Sequence, residues 1–174
     1  LFIRPLIKRF YPSADVIVAN SQGVKRDLAD SFSVPAEKIK VIPNGYDIAE
    51  ISLKASQPLD LAFEAVFKRP VVITSGRLTA AKGQWHLLRF FKKVKESNRG
   101  AALVLLGEGG LRGYLARLSR ELGFKTFSGP GAPPPDADVY FTGFQDNPYR
   151  FLSKARLFVF TSLWEGFPNA LVEA

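Results

Sequence analysis

Short apolar runs alternate with amphipathic segments along the chain, and this alternation predicts its fold. Apolar runs predict buried strands at residues 15–19, 40–42, 71–75, 102–106, 139–142 and 157–161. Segments with apolar residues three and four positions apart predict helices at 21–32, 59–67, 83–96, 111–122, 148–155 and from 168 onward. The strands are apolar throughout, which is typical of a sheet covered on both faces. The pattern therefore predicts an α/β fold, a Rossmann-like parallel sheet with helices on both faces.

Three stretches depart from this regular pattern. Pro43-Asn44-Gly45 is a turn signal that ends the second strand. Residues 128–138 (SGPGAPPPDAD) are rich in proline and glycine and predict a mobile surface loop. The segment 46–69 is less regular, and within it only the helix at 59–67 is predicted.

Glycine, polar and charged residues follow the predicted strands of the parallel sheet. They occur in the segments Ser75-Gly76-Arg77, Gly107-Glu108-Gly109-Gly110, Gly143-Phe144 and Trp164 to Asn169. Because ligands of such sheets bind outside the carboxyl ends of the strands, we expect these residues to form one site.

Arg77 and Lys82 are candidates for binding phosphate. The guanidinium of Arg offers a fork of donors that matches phosphate oxygens, and Lys adds a compact positive charge. Gly83, next to Lys82, is expected to let a ligand approach the backbone at a helix N-terminus. The pair therefore predicts a diphosphate site, and the alternative is two ordinary surface cations.

Glu165 and Glu173 lie eight residues apart around a predicted helix start. If Pro168 is the first helical residue, Glu173 stands one turn below Asn169 on the same face. Carboxylates and backbone N–H groups, such as that of Phe167, suit a polyhydroxylated ligand such as a sugar and a ribose. The alternative is one capping and one solvated glutamate.

Two of these segments resemble the signatures of retaining GT-B glycosyltransferases of family four. GRLTAAKG (76–83) resembles the first, and EGFPNALVE (165–173) resembles the E-x7-E motif. Four more segments resemble the same family in the same order, namely ADVIVANS (14–21), KIKVIPNGYD (38–47), LLGEG (105–109) and VYFTGF (139–144). The resemblance extends over nearly the whole chain, and it implies one half of a GT-B fold.

The resemblance also implies the roles of individual residues. Arg77 and Lys82 would hold the diphosphate and stabilise it as the leaving group, and Glu165 would contact the donor sugar. Glu173 would hold the ribose hydroxyls. Further donor-binding positions are Gly76, Gly107, Glu108, Phe144, Gly166, Phe167, Pro168 and Asn169. Of these, Gly107, Glu108 and Phe144 would line the base pocket, close to the 128–138 loop.

The implied reaction is transfer of a sugar, with retention, from a nucleotide-sugar to a saccharide or lipid-linked acceptor in polysaccharide biosynthesis. UDP is the preferred nucleotide, with GDP and ADP as alternatives. No metal and no separate cofactor are expected, because positive side chains and a helix dipole would act on the diphosphate. The expected location is the cytoplasm, at the inner face of the cell membrane.

The resemblance implies a division of the chain and a longer parent protein. Residues 1–43 match the end of an amino-terminal domain and the hinge, and residues 44–174 match the donor-binding domain. The sequence starts without Met and ends at Ala174 inside the motif helix, which favours part of a longer enzyme. The acceptor site would then lie outside these residues, so that they bind donor but transfer sugar weakly.

The charge of the chain favours anionic partners. Residues 1–99 hold 17 Lys/Arg and 9 Asp/Glu, whereas residues 100–174 hold 7 of each, so the net charge of +8 lies in the first part. Residues 1–11 could touch anionic lipid or belong to a parent domain. No nucleic-acid motif is recognised, so nucleic acid is not an expected partner. Without Cys and with one His, disulfides, Cys-based metal sites and multi-histidine sites are excluded.

An alternative function rests on the spacing of three glycines. Gly107, Gly109 and Gly113 follow a strand and open a helix, which is close to the fingerprint of NAD-binding Rossmann proteins. That fingerprint needs an acidic residue about 20 positions further on, and residues 126–135 contain none.

Two aromatic residues stay open: Trp164 could stack on a sugar or pack in the core, and His86 is expected to be an ordinary helix histidine.

Overall fold

The computed structural model describes residues 3–174. The helices are α1 (Ile3–Phe10), α2 (Gln22–Phe32), α3 (Ile48–Ala55), α4 (Leu61–Phe67), α5 (Gln84–Ser97), α6 (Arg112–Glu121), α7 (Tyr149–Leu152) and α8 (Asn169–Glu173). The strands are β1 (Ile17–Ala19), β2 (Ile39–Val41), β3 (Val71–Ser75), β4 (Ala102–Leu106), β5 (Thr126–Phe127), β6 (Val139–Gly143) and β7 (Leu157–Phe158). The chain divides into two compact units. The first comprises the residues up to Tyr46 together with Glu165–Asn169, and the second comprises Asp47–Trp164 together with Ala170–Ala174.

The second unit is built on a parallel sheet of five strands in the order β5-β6-β4-β3-β7. Strands β3 and β4 pair along their whole length, from Val71 opposite Ala102 to Ser75 opposite Leu106. Alternate side chains of a strand point to opposite faces, so each strand contributes to two cores. Leu103 and Leu105 lie in one core, and Val104 lies in the other.

Helices cover both faces of this sheet. On one face α5 and α6 bury apolar side chains, among them Leu88, Phe91 and Leu115. On the other face α4 and α7 contribute Val66 and Phe151. The predicted α/β fold, with a parallel sheet and helices on both faces, is confirmed, and its carboxyl-terminal strand ends form one edge of the second unit.

The first unit contains the short parallel pair β1-β2, in which Ile17 lies opposite Ile39. Helix α2 packs against this pair through Val24, Leu28 and Phe32, the face that its spacing predicted. Its N-cap is Ser21, whose hydroxyl accepts a hydrogen bond of 3.1 Å from the Val24 N–H.

The irregular segment 46–69 contains a helix, α3, that the sequence pattern did not predict. The Asp47 carboxylate caps it by accepting from the Glu50 N–H at 2.9 Å. Two side chains of the α7 region bind its last turn. The Asn147 Nδ2 group donates to the Lys54 carbonyl (2.9 Å) and the Ser153 hydroxyl donates to the Ala55 carbonyl (3.0 Å). These long-range contacts stabilise a helix whose own apolar pattern is weak.

Strand β7 is shorter than the predicted 157–161. It pairs with β3 through Leu157 and Phe158, and the Val159 N–H still donates to the Ile73 carbonyl of β3 at 2.8 Å before the chain bonds to a loop. The Thr161 hydroxyl donates to the Lys82 carbonyl at 3.1 Å, and the Leu163 N–H donates to the Ala81 carbonyl at 2.8 Å. The two-residue edge strand β5 was also not predicted.

The predicted surface loop 128–138 is largely exposed, and hydrogen bonds hold it at both ends. It starts at the carboxyl end of β5, where Arg112 donates to the Ser128 carbonyl at 3.1 Å. It ends at the amino end of β6, where Tyr140 donates to the Pro134 carbonyl (2.7 Å) and Arg69 donates to the Ala137 carbonyl (2.7 Å). Its second half therefore lies at the edge of the sheet opposite the strand carboxyl ends.

Candidate functional site

A cleft of about 570 Å³ opens at the carboxyl ends of β3, β4 and β6, within the second unit. Its lining consists of Ser75, Gly76, Arg77, Leu106, Gly107, Glu108, Gly109, Phe144, Gln145 and Pro148. The structure thus brings together five predicted site residues, namely Gly76, Arg77, Gly107, Glu108 and Phe144. Sequence reasoning missed Gln145 and Pro148, although they lie one and four positions after Phe144.

Backbone hydrogen bonds join the three loops that form the cleft. They run from the N–H of Gly76 to the Leu106 carbonyl (3.0 Å), from Leu78 to Glu108 (2.8 Å) and from Gly107 to Gly143 (2.8 Å). The loops approach so closely that a β-carbon on Gly107 would lie 2.2 Å from the Gly76 carbonyl oxygen. Gly107 also has a φ of +125°, which disfavours other residues. The base of the cleft is therefore a fixed backbone surface.

Two charged side chains line the cleft, and their surroundings differ. Glu108 forms an ion pair with Arg112, which also donates to the Phe141 carbonyl at 3.2 Å. Gly143 makes room for this carboxylate, because a β-carbon there would lie 2.9 Å from a Glu108 oxygen. Arg77 is exposed and places its positive charge at the cleft. Since Arg112 balances Glu108, the cleft suits an anionic ligand group near Arg77.

Phe144 gives the cleft an accessible aromatic surface. The side chain is 72% exposed, although it follows directly after a buried strand. An aromatic ring that is not packed in the core can stack on a flat ligand ring. The predicted role of Phe144 in a base pocket is consistent with this placement.

Lys82 lies on the same loop as Arg77. Its side chain covers Gly76, where a β-carbon would meet the Lys82 Cε at 3.5 Å. The ammonium nitrogen lies 5.6 Å from the centre of the Phe160 ring, within the range of a cation–π contact. The residues 76–83, here called the cation loop, therefore carry both predicted phosphate-binding side chains.

Glycine at position 83 allows another part of the chain to approach closely. Its φ is +59°, and a β-carbon would lie 2.4 Å from the Thr161 carbonyl oxygen. The Thr161 carbonyl therefore accounts for glycine at this position, and the approach of a ligand to the helix N-terminus stays a prediction.

The start of the E-x7-E segment belongs to the first unit. Helix α8 begins at Asn169, one residue later than predicted. The Ser21 hydroxyl donates to the Gly166 carbonyl at 2.6 Å, and Tyr46 stacks on Phe167 with ring centres 6.4 Å apart. The Asn169 Oδ1 atom accepts bonds of 2.6 Å from the Asn44 amide and from the Tyr46 hydroxyl. Sequence reasoning missed these partners, although they lie in the segments 14–21 and 38–47.

The remaining residues of the motif are placed as follows. Glu165 is exposed, Pro168 is half-buried, and both belong to the first unit. Glu173 is the last residue of α8, is half-buried and belongs to the second unit. It follows Asn169 by four helical positions, as predicted.

The structure shows how far the side chains of Trp164 and His86 are exposed. Trp164 is 64% exposed, so the alternative of a core aromatic is wrong. His86 is exposed on α5, with its ring 5.4 Å from that of Trp85. This agrees with an ordinary helix histidine.

Two of the three glycines of the alternative NAD fingerprint, Gly107 and Gly109, have structural explanations. Gly107 and Gly109 allow the close approach of the cation loop, since a β-carbon on Gly109 would lie 2.5 Å from the Leu78 carbonyl oxygen. The third glycine of the fingerprint normally permits close helix–strand packing. A β-carbon on Gly113 would meet nothing within 4 Å, so no such packing requires glycine there. The NAD-binding alternative is then supported by the spacing of these glycines in the sequence and not by their packing.

Two family models match the chain. The model described as Glycosyl transferases group 1 matches residues 62–174, and the model described as Glycosyltransferase Family 4 matches residues 1–50. No helix within residues 3–174 is long and apolar enough to cross a membrane.

Curated relatives match almost the whole chain. It is 38% identical over 168 residues to the uncharacterized glycosyltransferase MJ1059 of Methanocaldococcus jannaschii, covering 96% of this chain and 39% of the relative. It is 34% identical to the N-acetylgalactosamine-N,N'-diacetylbacillosaminyl-diphospho-undecaprenol 4-alpha-N-acetylgalactosaminyltransferase of Campylobacter jejuni, covering 97% and 41%. The chain thus spans about two fifths of the length of these relatives.

Solved structures share the fold. Anabaena Alr3699/HepE in complex with UDP and glucose matches with a TM-score of 0.72 and 26% identity, covering 97% of this chain and 43% of that one. S. aureus TarM, solved as a G117R mutant in a complex that includes UDP, matches with a TM-score of 0.72 and 16% identity, over 97% of this chain and 29% of that one. At that identity TarM supports the fold alone.

Proposed function

Because the chain belongs to the group 1 glycosyltransferase family, we propose that it forms the donor-binding part of a retaining, family-four-like glycosyltransferase. The donor is a nucleotide-sugar, with UDP as the nucleotide, and the acceptor is a saccharide or a lipid-linked saccharide. The proposal places residues 44–174 in the donor-binding domain and the residues before them in the end of an amino-terminal domain and hinge. Two kinds of support are available, the cleft itself and the ligands of related proteins.

The observation that supports the proposal most strongly is that Arg77 and the exposed ring of Phe144 line the same cleft. A nucleoside diphosphate has a flat base at one end and two negative phosphates at the other. The base would stack on Phe144, and the phosphates would meet Arg77 and Lys82 of the cation loop. UDP is the nucleotide of choice because the HepE relative, at 26% identity, binds UDP.

The proposed chemistry is stabilisation of a leaving group. The bond between the anomeric carbon of the sugar and the β-phosphate oxygen breaks, and the electron pair goes to that oxygen. An acceptor hydroxyl oxygen forms the new bond to the anomeric carbon on the same face, and its proton passes to the departing diphosphate. Arg77 and Lys82 stabilise the charge that develops on UDP, which is the role that a metal ion has in other transferases. We therefore expect UDP binding to persist in EDTA. By family resemblance, Glu165 and Asn169 contact the donor sugar and Glu173 contacts the ribose.

The first experiment is a calorimetric titration of the chain with UDP. Saturable binding is expected, and Arg77→Ala should weaken it about tenfold or more, since one charge-assisted phosphate contact is lost. Arg89→Ala is the matched control, because Arg89 is an exposed arginine on α5 outside the cleft. NAD is titrated in parallel. Binding of NAD without binding of UDP would establish the alternative and overturn the proposal. UDP binding that Arg77→Ala leaves unchanged would also overturn the proposal.

Retention and the acceptor are properties of the longer enzyme. The anomeric configuration of the product, followed by NMR with the full-length protein, tests retention. The Campylobacter relative acts on an undecaprenol-linked glycan by its name, which favours a lipid-linked acceptor here. A product with inverted configuration would contradict the assignment to retaining enzymes.

A membrane surface is the proposed setting, at the inner face of the cell membrane. Helix α1 exposes Ile3, Leu6 and Phe10, and it also carries Arg4, Lys8 and Arg9. Such a helix can lie on an anionic lipid surface. Co-sedimentation of the full-length enzyme with phosphatidylglycerol vesicles at low salt, reversed by added salt, is the expected result. Failure to sediment at low salt would contradict it.

A further inference from the structure

The cation loop is held by hydrogen bonds from two neighbouring parts of the second unit. The Gln84 Nε2 group donates to the Arg77 carbonyl at 2.9 Å. The Thr161 hydroxyl donates to the Lys82 carbonyl at 3.1 Å. The main-chain carbonyls of both predicted phosphate-binding residues are thus bound by side chains outside the loop.

Gln84 has an environment that stability alone does not explain. The side chain is 2% exposed, and its Oε1 atom is buried without a hydrogen-bond partner among the described residues. A buried acceptor that loses water and gains no partner is unfavourable. A leucine would fill the same space without that cost. The side-chain amide of Gln84 donates a favourable hydrogen bond to the Arg77 carbonyl. We therefore expect Gln84 to fix the position of the cation loop.

Thr161 approaches the loop from the other side. The chain leaves the sheet after Val159, whose N–H donates to the Ile73 carbonyl, and the Thr161 carbonyl then lies where a side chain of residue 83 would be. Glycine at position 83 permits this approach, which in turn brings the Thr161 hydroxyl to the Lys82 carbonyl. The short strand β7 and the left-handed Gly83 thus serve the same contact.

We infer that Gln84 and Thr161 are positioning residues for diphosphate binding. They fix the main chain at Arg77 and Lys82, so that both cations meet the phosphates without further ordering of the loop. Neither residue is among those that line the cleft. The inference rests on the proposed function, and it concerns the phosphates alone and not the base.

The test compares a ligand that has phosphates with one that lacks them. UDP is titrated by calorimetry and uridine by NMR chemical shifts, against the chain and its variants Gln84→Leu and Thr161→Val. Each variant should weaken UDP binding about five- to tenfold, which corresponds to one lost positioning hydrogen bond. Uridine binding should stay unchanged. A merely structural role would weaken both ligands by the same factor.

Two control variants sharpen this comparison. Thr161→Ser keeps the hydroxyl and should restore UDP affinity. Thr126→Val removes a threonine hydroxyl that is bonded to Ser119 at 2.6 Å on the edge strand β5. It should lower stability as Thr161→Val does, without changing the ratio of UDP to uridine affinity.

The outcomes separate this inference from the proposed function. If the unmodified chain binds no UDP, the proposed function fails and the inference fails with it. If UDP binds and Arg77→Ala weakens it, but Gln84→Leu and Thr161→Val leave UDP unchanged or weaken uridine equally, the inference alone is overturned. Loss of UDP affinity with intact uridine affinity in both variants supports it.

Discussion

At the scale of the residue, Phe144 is the side chain that we expect to bind the nucleotide base. We expect Phe144→Ala to weaken UDP binding by about 1–3 kcal/mol, because stacking of a base on an aromatic ring is lost. The change should not lower the melting temperature, since the ring is 72% exposed. Calorimetry and thermal unfolding measure the two quantities.

Phe90→Ala is the control for this substitution. Phe90 is 61% exposed on α5, so it offers a ring of similar exposure outside the cleft. Its removal should leave UDP affinity unchanged. Equal losses in the two variants would show that Phe144 is not a specific contact.

Gly107 shows how a residue without a side chain shapes the cleft. Gly107→Ala would place a β-carbon 2.2 Å from the Gly76 carbonyl oxygen at a φ of +125°. We expect the free energy of unfolding to fall by about 2 kcal/mol or more, which is a drop of roughly 4–8 °C in melting temperature.

Gly110→Ala is the matched control, because a β-carbon at Gly110 meets nothing within 4 Å. Its effect on stability should stay within about 0.5 kcal/mol. If the two alanine variants melt together, the close approach of the two loops does not exist in solution.

At the scale of the element, Tyr140 links β6 to the 128–138 loop. Its hydroxyl donates to the Pro134 carbonyl (2.7 Å) and accepts from Arg69 (2.8 Å). We expect Tyr140→Phe to cost about 1–2 kcal/mol of unfolding free energy at neutral pH and to speed amide exchange in the loop. Tyr114→Phe, on the exposed side of α6, should do neither.

The same tyrosine predicts a pH dependence. Burial raises the pKa of Tyr140 above its ordinary value of 10.0. The unfolded chain therefore loses this proton first as the pH rises, so the contribution to stability is complete below pH 10 and declines above it. The advantage of the unmodified chain over Tyr140→Phe should shrink above pH 10 in denaturant titrations. A constant difference would contradict the burial of a protonated hydroxyl.

Elements differ in how well their local pattern predicts them. β3 and β4 have the predicted bounds, because the apolar residues of each strand are buried between two layers of helices. α3 was not predicted, since its stability comes from Asp47, Asn147 and Ser153 rather than from an apolar stripe. β7 was overestimated, because hydrophobicity does not tell where a strand at the edge of a sheet stops pairing.

At the scale of the whole molecule, ligand binding should be visible as stability. UDP at a concentration of 100 times its Kd adds about 2.7 kcal/mol to the folded state. For a chain of this size, that is a rise of roughly 5–11 °C in the melting temperature of the unit that holds the cleft. Thermal scans with UDP, with NAD and with Arg77→Ala test this. A shift with NAD, or an equal shift in the variant, would place the ligand elsewhere.

The sequence by itself determined the layered α/β fold and the convergence of Arg77, Glu108 and Phe144. Both follow from local patterns, because buried parallel strands are apolar throughout and their carboxyl ends meet at one edge. The tertiary structure alone decided that Gly83 admits Thr161, that Glu108 is paired with Arg112 and that Gln84 holds the Arg77 carbonyl. The spacing of residues within one segment does not record which other segment packs against it. That choice is made by the packing of the whole chain.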